Sequence, residues 1–206
     1  MTTTTTAAGT SRRGRPGYDR EGLITVCVEA FNRNGYEATS MGALSRELGI
    51  SKSAIYHHVD SKEEILDIAL NRSLAELERV VSEAEALDAP AVEELDTILR
   101  ESVKVLTTSL PYVTLLLRLR GNSEMEVKAL QRRREITLRI ADLISQAQKD
   151  GDLRSDIDAR TASRLAMGTI NSIVDWYRPV GGAPDAALAE TVRQMVLGGL
   201  RAPAAG

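Results

Sequence analysis

Little in this 206-residue sequence invites covalent or metal chemistry. It holds one cysteine, Cys27, so no internal disulfide can form, and the expected location is a reducing cytoplasm. Cys27 falls on an apolar helical pattern, the place of a packed thiol. The only histidines, His57 and His58, are adjacent, which leaves the larger C-terminal part without a base for a Ser-His-Asp or Cys-His constellation. No Cys/His cluster has zinc spacing, and Gly14 and Gly17 stand in a tail, not between a strand and a helix. The pairs Glu63/Glu64 and Glu93/Glu94 sit at helix starts, where carboxylates complement the helix dipole. The expectation is no enzyme, no cofactor and no metal. Aromatics make up only 3% of the chain, and no apolar run approaches the ~18 residues of a membrane span. The first residues lack the apolar core of a secretory signal. Neither period-2 alternation nor a solenoid-length repeat is found.

What remains is a helix-former's composition, rich in Leu, Ala, Glu and Arg, and an all-α fold is expected. Residues 1–17 form a Thr-rich tail with Arg12, Arg13 and Arg15 just before the first helix. Those arginines can reach phosphates or a minor groove, or simply keep a tail soluble. The charge is uneven. Residues 1–62 carry eight Lys/Arg against six Asp/Glu; the remainder carries 18 against 23. The mildly basic end is therefore the one suited to nucleic acid.

Residues 39–66 organise the chain. Thr39 or Ser40 can cap a helix whose Met41, Leu44 and Leu48 repeat at helical spacing. Gly49 supplies a left-handed stop and Ile50 fills the corner. Ser51 caps the next helix, which buries Ile55 and Val59 and turns Lys52, Ser53, Tyr56 and His57 outward; His58 reads as a packing residue. Ser61 with Glu64 makes a capping box for a fourth helix. Such a pattern is a DNA-binding helix-turn-helix, whose second helix enters the major groove. A helix at 19–34, with Leu23, Val26, Cys27, Ala30 and Phe31 on its buried stripe, supports it from upstream.

These motifs resemble the N-terminal domain of the TetR family of bacterial transcriptional regulators. The resemblance rests on Thr39-Ser40-Met41, Leu48-Gly49-Ile50-Ser51, Ile55-Tyr56-His57-His58, Ser61-Lys62-Glu63-Glu64 with Leu66, and upstream Ala30-Phe31 and Gly35-Tyr36. Ser45 and Val59 depart from the family's preferred alanine and aromatic, as packing changes. The resemblance implies operator DNA as partner, with contacts from Arg15, Ser40, Ser51, Lys52, Ser53, Tyr56, His57 and Lys62. It also implies a three-helix DNA-binding domain at 18–62, a linking helix at 62–86, and an effector-binding and dimerisation domain at 63–200.

Beyond the Leu87-Asp88-Ala89-Pro90 break, helices are expected at 91–108, with Pro111 ending or kinking that run, then at 113–119, 124–149, from Asp156 or Asp158 to Tyr177, and at 185–198. The last two, within 158–198, carry Leu165, Ala166, Thr169, Ile170, Ile173, Val174, Leu188, Val192, Met195 and Val196, with small Ala162, Gly168 and Gly198 allowing close approach. They are the expected homodimer surface, because two-fold proteins read palindromic half-sites. The effector pocket is expected near Pro111, among Val103, Leu106, Tyr112, Leu115, Leu116 and Leu119, with polar contacts from Arg118, Asn171, Asp175, Trp176 and Arg178. Arg132-Arg133-Arg134 reads first as a solvated face, with bidentate capture of a carboxylate or phosphate as the less favoured alternative. The segments Leu117–Asn122 and Asn171–Pro179 are similar to TetR-type regulators of fatty-acid, aromatic-acid and steroid catabolism. That similarity implies a CoA thioester as effector, phenylacetyl-CoA or another acyl- or aryl-CoA. The competing expectations are a multidrug-sensing repressor that takes free hydrophobic compounds, and an enzyme or acyl-carrier-type binder, which the missing histidines disfavour.

Overall fold

The computed structural model describes residues 18–179 and 185–201, and within them the chain is helical with no strand. Ten helices follow in order: α1 Arg20–Asn34, α2 Met41–Leu48, α3 Lys52–Tyr56, α4 Lys62–Glu85, α5 Ala91–Thr108, α6 Leu110–Leu117, α7 Glu124–Lys149, α8 Ala159–Asn171, α9 Ile173–Trp176 and α10 Ala186–Leu200. Arg12, Arg13 and Arg15 lie outside the described residues, as do Gly181 and Gly182.

Short polar side chains start most of these helices by accepting the orphan amides of the first turn. Asp19 takes Gly22 N–H at 2.7 Å, Ser40 takes Ala43, Ser51 takes Ala54, Ser61 takes Glu64, and Ser123 takes Glu126. Asp158, not Asp156, starts α8 through Thr161. Gly49 closes α2 with φ +65°, a left-handed conformation that costs a glycine little. At the end of α6 the chain turns through Gly121, and Glu126 reaches back to accept the Arg120, Gly121 and Asn122 amides at 3.2, 2.9 and 3.1 Å. That buried carboxylate fixes how α7 leaves α6.

Three boundaries differ from the sequence reading. Pro111 does not end α5; the break falls at Ser109, and Pro111 lies in the first turn of α6, where its missing N–H has no helical acceptor to lose. The apolar helix thus runs from Leu110 to Leu117, not 113–119. The helix expected to reach Tyr177 is interrupted at Ser172, whose hydroxyl donates back to Thr169 O at 2.7 Å. Back-bonding of this kind bends helices. The last helix extends to Leu200, beyond the expected 198, and its end is tied to Leu153 and Arg154.

One apolar cluster runs unbroken from Leu23 to Leu200. Leu23, Cys27, Phe31, Leu44, Ile55 and Ile65 hold α1 to α4 together, and Cys27 is wholly buried there, its thiol pushed up to about 12 by that burial. Around Leu74, Leu95, Ile98, Leu106 and Ile140, helices α4, α5 and α7 form the larger core, with α8 and α10 laid over it.

Candidate nucleic-acid interface and effector cleft

The turn between α2 and α3 is held from several sides. Ile50 N–H returns to Ser45 O at 3.2 Å, and the Ser45 hydroxyl donates to Ile50 O at 2.6 Å. Serine at this position therefore does more than pack: it ties the corner. Leu44, Leu48, Ile55 and Val59 are buried, while Ser51, Lys52, Ser53, Tyr56 and His57 are exposed, with Tyr56 at 49%. A tyrosine left half in water on a helical corner of so few aromatics has its ring and hydroxyl free for a partner. Lys52 passes over Gly42, where a Cβ would stand 3.2 Å from its Cε.

Some expected contacts are already engaged inside the chain. The hydroxyls of Ser40 and Ser51 serve as caps, and Thr39 is buried, donating to Gly35 O at 2.7 Å. His57 closes α3 as its C-cap, and His58 is half-buried with its carbonyl accepting from Arg20. Lys62 turns inward: its Nζ donates to Tyr36 O at 3.0 Å and lies 4.1 Å over the Tyr36 ring. Tyr36 in turn packs edge-on against Phe31, and burial with the Glu63 carboxylate nearby pushes its phenol up to about 12. Arg46, exposed on α2, was not singled out from sequence, since a lone arginine on an amphipathic helix carries no motif.

A cleft of about 500 Å³ opens between α4, α6, α7, α8 and α9. Its apolar walls are Leu77, Val113, Leu116, Leu117, Ile136, Met167 and Val174; its polar groups are Arg118, Arg133, Arg164, Thr114, Thr137, Asn171, Ser172 and Asp175. Arg118, Asn171 and Asp175 are thus brought together. Leu116 joins them in the wall and Leu119 lines the chamber beside it, while the remaining expected ligand residues lie elsewhere. Tyr112 is buried and shares a 2.8 Å hydrogen bond with Thr25 of α1, its ring under Arg72. Leu115 faces the α1–α2 corner, and Val103 and Leu106 are core. Trp176 is 58% exposed, edge-on to Tyr177, and Arg178 folds back onto Tyr177 O.

Arg133 departs from the expectation of a solvated face. Arg132 does pair outward, bidentate to Glu78 at 2.8 Å through both nitrogens and to Asn71 at 2.7 Å. Arg133 instead points into the cleft, half-buried, with a 3.4 Å contact to Leu116 O, and burial lowers its pKa. A second chamber of about 500 Å³ adjoins, sharing Arg133, Thr137 and Arg164 and adding Leu119, Leu130 and Arg134. Among the described residues none of Arg118, Arg133, Arg134 and Arg164 has a carboxylate partner within 4.0 Å, although 13 ion pairs occur. The signal was in the sequence: Arg133 falls on the same stripe as Ala129, Ile136, Ile140 and Ile144.

Comparison with known proteins agrees with this geometry. The model for bacterial regulatory proteins of the tetR family matches residues 23–68, and that for the tetracyclin repressor-like C-terminal domain matches 88–200. The chain belongs to the TetR family of transcriptional regulators. It is a ligand-responsive, DNA-binding transcriptional repressor and not an enzyme. A solved TetR-family regulator from Streptomyces coelicolor A3, SCO3833, is 48% identical, with a TM-score of 0.80 over 87% of this chain and 91% of its own. The transcriptional repressor KstR2 of Rhodococcus jostii (strain RHA1) is 29% identical over 203 residues, 92% of this chain and 94% of its own. AibR, solved with isovaleryl coenzyme A and operator DNA, shares the fold at a TM-score of 0.69 and 22% identity, over 85% of this chain and 96% of its own.

Two substitutions test the DNA face of this regulator. Lys52→Ala is expected to weaken operator binding about tenfold and to lower the salt slope by about one, the signature of a lost phosphate contact. Tyr56→Phe should cost several-fold with helicity kept. Anisotropy titrations of labelled operator at several salt concentrations measure both; unchanged affinity and slope would remove these residues from the interface.

Proposed function

We propose that this regulator binds a palindromic operator as a homodimer and is released by an acyl- or aryl-coenzyme A thioester, with phenylacetyl-CoA the leading ligand. Half-buried, unpaired Arg133 carries the reading. A guanidinium held partly out of water with no counter-ion favours an anionic ligand, and arginine's planar fork suits phosphate oxygens. Arg118, Arg134 and Arg164 add positive charge along the two adjoining chambers, against a single carboxylate, Asp175. A mainly apolar wall in the first chamber, with arginines at the side it shares with the arginine-rich second one, matches a ligand with an apolar acyl end and a polyanionic nucleotide end. A pocket for free hydrophobic cations would face like charge here, so the multidrug reading is the weaker one. AibR shows that this fold can hold isovaleryl coenzyme A.

The homodimer is proposed through α8 and α10. Their outer faces expose Leu165 and Met195, each 66% accessible, beside a nearly apolar groove of about 230 Å³ that includes Ala162, Ala166, Val196 and Gly199. A side chain at Gly198 would meet nothing within 4 Å, so another backbone can approach closely there, whereas Gly168 borders the effector cleft. Ile170, Ile173 and Val192 pack within the subunit. Release then requires only that the ligand bind more tightly to the conformation that fits DNA poorly.

Operator anisotropy in the presence of phenylacetyl-CoA, isovaleryl-CoA, the matching free acids and CoA alone tests the ligand class. Release by a thioester at concentrations where its free acid does nothing is the expected result. Release by free hydrophobic compounds alone would replace this reading with the multidrug one.

A further inference from the structure

Helix α6 stands between the effector cleft and the DNA-binding helices with a different face toward each. Stepping about 100° per residue, Val113, Thr114 and Leu117 fall on one side and line the cleft. Pro111, Tyr112 and Leu115 fall on the other, against α1: Pro111 O accepts from Asn32 Nδ2 at 2.7 Å, and Tyr112 bonds Thr25. Arg118, the C-cap of α6, lies at the seam. It lines the effector cleft and also the crevice beside the α1–α2 corner, and there its guanidinium donates to the backbone carbonyl of Asn32.

That carbonyl belongs to the last turn of α1, which ends at Asn34. Carbonyls of a last turn have no helical donor, and a cation near them is favoured by the helix dipole. Asn32 is therefore fastened to α6 at both ends, by its side chain at Pro111 and by its carbonyl at Arg118. Its own Oδ1 is buried without a partner.

We propose that Arg118 is the residue through which occupancy of the cleft reaches the DNA-binding helices. With the cleft empty, Arg118 holds the end of α1 to α6. An anionic group in the cleft offers the same guanidinium a charged acceptor, which outcompetes a neutral carbonyl. Arg118 turns inward, the last turn of α1 loses that tie to α6, and the DNA-binding helices are held less firmly in the orientation that α6 imposes, with the Asn32–Pro111 and Thr25–Tyr112 bonds left in place. The ligand's preference for the released state is then the free energy of exchanging one acceptor for the other. This inference rests on the anionic-ligand reading for its trigger, while the tie itself can be tested without any ligand.

The test uses the full-length chain with Arg118→Met, which keeps the aliphatic stem, and Arg118→Lys, which keeps the charge but not the fork. In the absence of ligand, Arg118→Met should bind operator about tenfold more weakly than wild type and exchange the amide hydrogens of residues 31–36 faster, with Arg118→Lys between the two. At concentrations of phenylacetyl-CoA or isovaleryl-CoA shown by calorimetry to saturate each protein, the operator affinity of Arg118→Met should move by less than about twofold, against about tenfold or more for wild type. Calorimetry separates this loss of response from a loss of binding. Wild-type operator affinity and wild-type exchange in ligand-free Arg118→Met would overturn the proposal. If neither thioester moves wild type from DNA but Arg118→Met still weakens operator binding and loosens α1, the thioester reading falls and the tie stands.

Discussion

Replacing Leu165 and Met195 together by glutamate is expected to give a folded monomer that no longer holds operator DNA. Both side chains are 66% exposed in the isolated chain and lie on α8 and α10, which pack on the core through other residues, so their loss should leave the fold intact. Their full burial in a dimer is worth roughly 1.5–3 kcal/mol each, and a two-fold interface counts every residue twice. The substitutions also place four carboxylates in an apolar seam, each of which resists desolvation. Dimer association should weaken by well over about a thousandfold, taking the total as more than 4 kcal/mol. Operator affinity follows, because coupling two half-sites in one molecule raises avidity by about 10²–10⁴ without any new contact. Sedimentation velocity reads the monomer, circular dichroism the fold, and anisotropy the lost binding. Val127→Glu, a similarly exposed apolar site on α7, serves as the control that should change none of them. A double variant that stays dimeric and binds operator normally would move the interface off α8 and α10.

The DNA-binding half was legible because its signals are local. Caps at Asp19, Ser40, Ser51 and Ser61, a left-handed Gly49 and the spacing of Leu44, Leu48, Ile55 and Val59 each act within a turn or two of helix, and the structure places them as the spacing implies. The inward turn of Lys62 was not legible, since its acceptor, Tyr36 O, is 26 residues away. In the larger half, element existence was readable and side-chain direction was not. Tyr112 is on the same short helix as Val113 yet faces α1, because α6 is sandwiched and apolar nearly all round. A helix of that kind has no polar face from which to infer orientation. Pro111, expected to end or kink the preceding run, instead opens α6, a reversal that sequence alone permits because proline suits a first turn as well as a break. Of three consecutive arginines, position along the buried stripe of α7 separates the one facing the cleft from its neighbours.

Reversing that one charge is expected to abolish the thioester response while sparing DNA binding. Arg133 has no carboxylate partner among the described residues, is half-buried, and has its pKa lowered by that burial, yet an arginine remains protonated at neutral pH. An unpaired cation in such a place is a cost to the free protein, and a phosphate oxygen would offset it with a charge-assisted hydrogen bond. Removing the cation in Arg133→Gln should lose roughly 1.5–3 kcal/mol of that interaction, or about ten- to a hundredfold in thioester affinity. Arg133→Glu adds repulsion between the new carboxylate and the phosphates and should bring binding below detection. Arg132→Gln gives the contrast on the adjacent residue. Its guanidinium already serves Glu78 and Asn71 on α4, so the substitution should cost stability by no more than about 1 kcal/mol and leave thioester affinity alone. Because the Arg133 contact is ionic, wild-type thioester affinity should also fall with added salt more steeply than that of Arg133→Gln. Calorimetry at two salt concentrations, beside operator anisotropy without ligand, measures all three variants. Equal thioester affinity and equal salt dependence in wild type and Arg133→Gln would mean that the cleft recognises its ligand by shape and apolar contact, leaving the arginine wall to serve the fold.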